Sequence, residues 1–306
     1  MDVAAILGPT AVGKSAVGAS LAEELDGEII SVDSRQAYRL IDIGTAKPSR
    51  AERDRVPHHL IDILDLTEKN NADNFAGRAE EAIDEIVSRD RLPILVGGSG
   101  LYFRAIFDGF FRVRLDPDSR AEFAESIKGV PTEELLGRLR DVDEESGNRI
   151  HPNDRYRIVR ALEVYAISGV PLTEHFKRQR AEKRRTAREF LKVGLHMERS
   201  ELYRRINGRV IDMIEAGWID EVEQLLEQGH DPDSRGLKTL GYPEIIAFIR
   251  GEIGKEAMIE RISRLTRQYA KRQLTWFKRE RGVRWFRMDD PAATGKILTL
   301  VKNSLG

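Results

Sequence analysis

Two regimes of hydrophobic patterning divide the chain. Val3-Ala4-Ala5-Ile6-Leu7, Glu28-Ile29-Ile30-Ser31-Val32 and Pro93-Ile94-Leu95-Val96 are short, nearly unbroken apolar runs, the pattern of strands covered on both faces. A further strand is expected within residues 57–65. Between these runs the apolar spacing lengthens to that of a helix, over Ser15 to Leu25 and over Phe75 to Ser88, where Ala79, Ala82, Ile83, Ile86 and Val87 recur. This alternation predicts an α/β fold, a P-loop NTPase-like parallel sheet flanked by helices. From about Arg112 the pattern changes to predicted helices over 118–126, 132–141, 154–168 and 172–188, and strand character returns only at Phe190 to Met197. An all-helical subdomain, residues 112–189, is therefore expected as an insertion in a core made of 1–111 and 190–306. At a strand's carboxyl end such an insertion is placed to act as a lid. Beyond it, Ser200 is the expected N-cap of a helix with Leu202, Ile206, Val210 and Met213 on one face. A long helix is expected over 255–281, and Arg284-Trp285-Phe286 reads as a closing edge strand.

Between the first strand and the first helix lie Gly8, Pro9, Thr10, Ala11, Val12, Gly13, Lys14 and Ser15, which fit G-x-x-x-x-G-K-[ST] at every specified position. Gly8 and Gly13 let the backbone curl until successive N–H groups point inward, and the helix that follows presents its positive end to the same place. Lys14 adds a charge for a terminal phosphate, and the Ser15 hydroxyl is placed to ligate Mg2+. Asp33-Ser34-Arg35-Gln36 follows the second strand, at the edge where ligands of open α/β sheets bind, so Asp33 is expected to face the loop. Two other readings stay open for Asp33: a turn cap and a magnesium carboxylate. Of the adjacent pair His58 and His59, opposite faces of a strand leave one for a structural role. Arg205 and Arg209 lie four apart on the Ser200 helix; they serve either as packed stems or as charge for a departing phosphate.

Composition narrows the class. With 41% hydrophobic and 33% charged residues, the chain is globular with a highly charged surface. No apolar run approaches the roughly 18 to 20 residues of a membrane span, and the chain opens on a core strand, so a cytoplasmic protein is expected. The absence of cysteine excludes disulfides, thiolate zinc sites and cysteine nucleophiles. None of the six histidines has metal-binding spacing. Net charge is −1, so only local charge bears on nucleic acid. Lys177, Arg178, Arg180, Lys183, Arg184, Arg185 and Arg188 form a lopsided basic run, opposed nearby only by Glu182 and Glu189. On the long helix, Ile262, Leu265, Tyr269 and Trp276 share one side and Arg264, Arg267, Lys271 and Lys278 nearly the opposite one, expected to pack on the core and to meet a nucleic-acid backbone respectively.

Three function classes fit these features: a small-molecule or nucleoside kinase with a helical lid binding ATP, a switch or motor hydrolase, and a transferase whose loop holds a departing diphosphate while basic surfaces hold a nucleic acid. No N-K-x-D guanine signature favours the second. The basic surfaces favour the third over the first. The sequence resembles the tRNA dimethylallyltransferases, also called tRNA isopentenyltransferases. The resemblance is carried by G-P-T-A-V-G-K-S at 8–15, D-S-R-Q at 33–36, I-G-T-A-K-P at 43–48, V-P-H-H-L-I-D at 56–62 and V-G-G-S-G-L-Y at 96–102. It continues through R-I-H-P-N-D-x-x-R-I-V-R-A-L-E-V at 149–164, L-Y-x-R-I-N-x-R-V at 202–210, L-G-Y at 240–242 and R-Q-Y-A-K-R-Q-x-T-W-F at 267–277. It implies transfer of a dimethylallyl group from dimethylallyl diphosphate, with Mg2+, to N6 of the adenosine 3′ of the tRNA anticodon. It implies further that Asp33 takes the proton of the adenine amine and that Thr10 binds a phosphate oxygen. Lys14 and Arg205 or Arg209 would spread the charge of the leaving diphosphate. Ser34, Arg35, Gln36 and Ser99 would line the channel for a flipped adenosine. Tyr156, Arg157, Ile158, Val159 and Arg160, with Lys238, Thr239, Leu240, Gly241 and Tyr242, would hold the anticodon stem-loop. Nothing in that reaction requires more than a monomer. Ser99 stands where the family often has threonine, and Pro243 where a basic residue is frequent.

Overall fold

A computed structural model describes residues 3–109, 116–183 and 188–305. In chain order the first half of the core comprises β1 (Val3–Leu7), α1 (Lys14–Glu24), β2 (Gly27–Val32), α2 (Arg50–Arg55), β3 (His58–His59), α3 (Ala72–Ser88), β4 (Leu92–Gly97) and α4 (Gly100–Asp108). Five helices follow: α5 (Pro117–Ser126), α6 (Thr132–Val142), α7 (Glu144–Arg149), α8 (Arg155–Ser168) and α9 (Leu172–Lys183). The chain then makes β5 (Phe190–His196), α10 (Arg199–Glu215), α11 (Trp218–Glu227), α12 (Tyr242–Ile249), α13 (Lys255–Phe277), β6 (Arg284–Arg287) and α14 (Ala293–Leu305).

Among the described residues the strands form one six-stranded sheet in the order β3-β2-β4-β1-β5-β6, parallel at every pairing. Register decides what this edge can do. Leu7 pairs with Gly97 and Gly194, and Val32 with Gly97, so the segments after β1, β2, β4 and β5 leave from one end of the sheet. Those segments are the phosphate loop, the Asp33 tetrad, the second glycine turn and the lead into α10.

The apolar runs are strands because both faces are covered: every residue of β1, β2 and β4 is buried. Ile6, Val17, Leu21, Ile94, Val193, Ile206 and Ile297 join one core, and Tyr38, Trp218, Leu237, Tyr242, Ile245, Met258 and Ile262 another. The third strand is shorter than the sequence predicts. It consists of His58 and His59 alone, because Leu60 and Asp62 take left-handed backbone conformations that end the ladder. His59 is the structural histidine of the pair, its Nε2 2.6 Å from the buried Glu28 carboxylate. Burial pushes Glu28 up in pKa, but hydrogen bonds and charge from Arg89 and His59 outweigh it and hold the group below its ordinary value.

Contacts divide the chain into two compact units, Met1–Phe107 with Arg188–Gly306, and Asp108–Ala187. The second closes on its own small core of Ile127, Leu135, Leu139, Ile150, Ile158, Ala161 and Leu162. Two helix ends differ from expectation, and a further helix follows β6. Glu198, not Ser200, caps α10, its carboxylate accepting from the Ser200 N–H. The long helix stops at Phe277, ahead of a left-handed Gly282. The tail forms α14, which buries Ala293, Ile297 and Val301 at four-residue spacing. No helix of the described residues is long and apolar enough to cross a membrane.

Candidate functional site

The loop after β1 takes its shape from a close approach. A Cβ on Gly8 would lie 2.7 Å from the Leu195 carbonyl oxygen, and Gly8 has φ +154°, so only glycine lets β1 turn beside β5. Gly13 and Ala11 are also left-handed, and α1 starts immediately at Lys14. Val12 is fully buried in the core beneath, which leaves only its backbone to meet a ligand. Ser15 is exposed in the first turn of the helix. Lys14 Nζ donates to the Pro9 carbonyl at 2.7 Å.

The loop opens on a cleft of about 460 Å³ lined by Thr10, Gly13, Lys14, Ser15, Ser31, Asp33, Gln36, Lys47, His58, Arg205 and Arg209. A second cleft, of about 480 Å³, is walled by Met213, Trp218, Leu240, Leu265 and Tyr269, with Ser34, Arg35, Lys238, Thr239 and Arg272. Thr10, Asp33 and Arg209 line both. The first cleft suits an anion; the second has the aromatic and apolar walls that suit a base. Asp33 stands where they meet.

Electrostatics at that junction are tight. Burial brings Lys14 down to a pKa of about 7, with Arg209 adding to the fall and Asp33 opposing it. Arg209 is likewise lowered by burial and supported by Asp33. Tyr269, beside Asp33, is pushed up to about 12, chiefly by burial and then by that carboxylate. Arg205, in contrast, is exposed, and its Nε donates to Glu201 at 3.1 Å.

Asp33 also has the turn role left open above, because its Oδ1 accepts from the Arg35 N–H at 2.8 Å. Ser34 N–H donates to Ser99 Oγ at 3.1 Å, and Asn70 Nδ2 donates to the Ser34 carbonyl, so the tetrad is tied to the second glycine turn. Gln36 lines the first cleft with its carboxamide already engaged: Oε1 accepts from Ser31 Oγ at 2.7 Å, and Nε2 donates to the Thr45 and Ala46 carbonyls.

Some of the expected nucleic-acid contacts are buried, and others are exposed but ion-paired. Ile158 is fully buried in the second unit's core and cannot meet an RNA, and Val159 packs against the same core. Tyr156 is 81% exposed, while Arg157 pairs with Asp154 and Arg160 with Glu163. Tyr242 is also fully buried; its hydroxyl donates to Glu221 Oε1 at 2.6 Å, and that bond and burial push its pKa far up. Gly241 is the left-handed cap of α12. Lys177 and Arg178 are exposed but paired with Glu145 and Glu174, so the basic run is more balanced than its sequence neighbours indicate. The side chains of Arg180 and Lys183, and all of Arg184 and Arg185, lie outside the described residues. On α13, Arg264 and Lys271 are exposed, whereas Arg267 donates to Asn207 Oδ1 at 2.6 Å and sits 5.9 Å from the Tyr203 ring. Leu265 and Tyr269 line the second cleft instead of packing wholly into the core.

Three supporting residues escaped the sequence reading. Gln273 on α13 is buried: its Oε1 accepts from the Thr10 N–H at 2.8 Å and its Nε2 donates to the Gly98 carbonyl at 2.9 Å. One carboxamide thus pins the phosphate loop to the second glycine turn and withdraws the Thr10 amide from ligand binding, leaving Thr10 its hydroxyl. Glu221 accepts from the Asp42, Ile43 and Gly44 N–H groups and fixes the loop that walls the first cleft. Lys47, 1% exposed, donates to the Tyr38 carbonyl and to Asp62. Lys47 and Gln273 fall in the I-G-T-A-K-P and R-Q-Y-A-K-R-Q stretches, the only signal that pointed to them.

A parallel sheet with a phosphate loop after its first strand, a carboxylate beyond the second and a base-sized cleft beside them defines a phosphate-loop enzyme with room for two substrates. Residues 36–280 match the family model described as IPP transferase. The chain belongs to that family. It is similar to tRNA dimethylallyltransferase 2 of Geotalea uraniireducens, 46% identical over 290 residues that cover 94% of this chain and 93% of the relative. It also resembles the crystal structure of the full-length tRNA isopentenylpyrophosphate transferase of Bacillus halodurans, with a TM-score of 0.72 at 39% identity, covering 99% of this chain and 96% of the other. A third similarity is to a eukaryotic dimethylallyltransferase described as acting on tRNA, with a TM-score of 0.82 at 28% identity, over 99% of this chain and 79% of that one.

Proposed function

We propose that the protein transfers the dimethylallyl group of dimethylallyl diphosphate to N6 of the adenosine 3′ of a tRNA anticodon. The observation that carries this reading is the junction of two clefts at Asp33, Thr10 and Arg209. The diphosphate occupies the loop cleft, with Lys14, Arg209, the Thr10 hydroxyl and the amides from Ala11 to Ser15 around it, and Arg205 at its rim. A flipped adenosine enters the second cleft past Tyr269 and Ser34. The N6 nitrogen attacks the allylic carbon, the carbon–oxygen bond breaks, and its electron pair leaves with the diphosphate. Asp33 accepts the N6 proton, the help a weak amine nucleophile needs. Lys14 and Arg209, already desolvated, stabilise the charge that develops on the leaving oxygens.

The loop cleft fits Mg2+: the Ser15 hydroxyl is a hard oxygen on it, and magnesium commonly completes its shell with substrate phosphates and water. Bound there, it would add positive charge on the diphosphate. The second unit is assigned a share in holding the tRNA through Tyr156, Arg157, Arg160, Lys177 and Arg178, and the core through Lys238, Thr239, Leu240, Arg264 and Lys271. The reaction is complete within one chain, so a monomer suffices.

The deciding experiment is incubation of unmodified tRNA with either dimethylallyl diphosphate or ATP, followed by mass analysis of the nucleosides. Prenylated adenosine is the expected product. Phosphate release from ATP without prenylation would return the protein to the kinase class.

Two further outcomes are expected. Gln273→Ala leaves a buried amide and carbonyl unpartnered, so the loop loses its register while keeping its ligand groups. The KM for dimethylallyl diphosphate should rise by about tenfold or more, and the KM for tRNA by less. Equal KM values for wild type and variant would show that the loop holds its shape unaided. The double change Lys177→Gln with Arg178→Gln should lower the slope of log affinity for tRNA against log salt by about 1 to 2. An unchanged slope would place α9 away from the RNA.

A further inference from the structure

A third cleft, of about 640 Å³, lies beside the carboxyl end of β5, and of the residues that line it only Lys271 has a role in the function proposed above. The two sides of α13 serve different clefts: Tyr269 and Arg272 line the base-sized cleft, and Lys271, Leu274, Thr275 and Lys278 line this one. Its floor is apolar, built from Met197, Leu202, Ala270 and Leu274. Two aromatic groups wall it. Trp285 packs against β5, where a Cβ on Gly194 would be 2.6 Å from its ring, and meets His196 edge-on with ring centroids 5.9 Å apart. Tyr203 carries the Arg199 guanidinium 5.1 Å from its ring.

Charge on the rim is unbalanced. Arg199, Lys271 and Lys278 are exposed, and among the described residues none of them has an ion-pair partner. Glu198 also lines the cleft, its carboxylate accepting from the Ser200 N–H, and offsets one of the three cations, so the rim keeps an excess of positive charge. Burial, reinforced by Arg287 and Lys278 and opposed by Asp289, holds His196 below its ordinary pKa, so this ring adds surface rather than another charge. A purely apolar ligand would leave three cations unused. A simple anion would leave the apolar floor and the ring walls unused.

We propose that this cleft binds a nucleotide, its base against Trp285 and Tyr203 and its phosphate among Arg199, Lys271 and Lys278. Flat bases of any sequence suit ring walls, and a guanidinium stacked on tyrosine extends such a wall while carrying charge for the phosphate. The shared chemistry, a base joined to a phosphate, has two sources: a free nucleotide, or one nucleotide of an RNA chain. Only the second source rests on the function proposed above.

The test saturates the protein with inorganic pyrophosphate, which fills the phosphate-loop cleft, and titrates it with ADP in one arm and unmodified tRNA in the other. Wild type is compared with Lys278→Glu and Trp285→Leu. For a free nucleotide, ADP binds despite the pyrophosphate, and both variants weaken it by about tenfold with pyrophosphate affinity unchanged. For an RNA nucleotide, ADP does not bind and both variants weaken tRNA by a similar factor. Lys278 is exposed, so Lys278→Glu decides the matter if Trp285→Leu misfolds. The proposal is overturned if pyrophosphate abolishes ADP binding and tRNA affinity is the same in all three proteins. If tRNA fails to bind wild type, the proposed function is lost and the ADP arm alone decides for or against the cleft.

Discussion

Replacing Asp33 by alanine is expected to lower kcat by at least about 100-fold while tRNA affinity stays within about threefold of wild type. The carboxylate lies at the meeting point of the two clefts, and one of its oxygens is already used locally, Oδ1 accepting from the Arg35 N–H. Asp33→Asn separates the local role from the chemical one. An asparagine oxygen can still accept from Arg35, so the turn and the thermal midpoint should survive, but an amide cannot take the N6 proton. Near-normal turnover in Asp33→Asn would make Asp33 a cap. Turnover restored by raised Mg2+ would make it a metal ligand. Loss of kcat in both variants, indifferent to Mg2+, is the result expected of a base.

How legible this site was depends on how local each part is. The phosphate loop is read directly because strand, turn and helix are contiguous and each specified residue answers a local need. Asp33 could be placed because a parallel sheet brings the carboxyl ends of its strands together. Gln273 could not: it is 263 residues from Thr10, and nothing at either position announces the other. Contiguity also misled. A run such as Tyr156 to Arg160 looks like one contact surface, yet on a helix Ile158 shares its inward side with Ala161 and Leu162, a spacing the sequence displays plainly. Tyr242 was misread for the opposite reason, since its partner Glu221 comes from another helix. Among the elements, α7 was missed because it buries only Ser146 and Gly147, leaving no apolar period to find. The strand in 57–65 was overestimated because its apolar residues suggested a ladder that left-handed Leu60 and Asp62 do not permit.

Lys14→Met is expected to lower kcat/KM for dimethylallyl diphosphate by about 100-fold or more, as befits loss of a desolvated cation facing the developing charge. The pH dependence should identify the residue responsible. In the free protein Lys14 titrates near 7 because burial and Arg209 outweigh Asp33, and only its protonated form attracts a phosphate. Bound diphosphate raises that pKa, so above about pH 7 binding must take up a proton, and this residue's contribution falls by up to tenfold for each unit of rising pH. Pyrophosphate titrates as well and gains charge in the same range, so the quantity to compare is the difference between wild type and Lys14→Met. That difference should be largest at and below about pH 7 and shrink above it; parallel curves would mean that Lys14 is not the group that meets the ligand. Stability supplies the control. The folded protein holds Lys14 near 7 against a reference value of 10.5, so the folded state binds fewer protons between them. Its destabilising effect is therefore complete below about pH 7 and fades as pH rises toward 10.5. Lys14→Met should raise the thermal midpoint at neutral pH even as it lowers kcat/KM, a combination that general unfolding cannot produce.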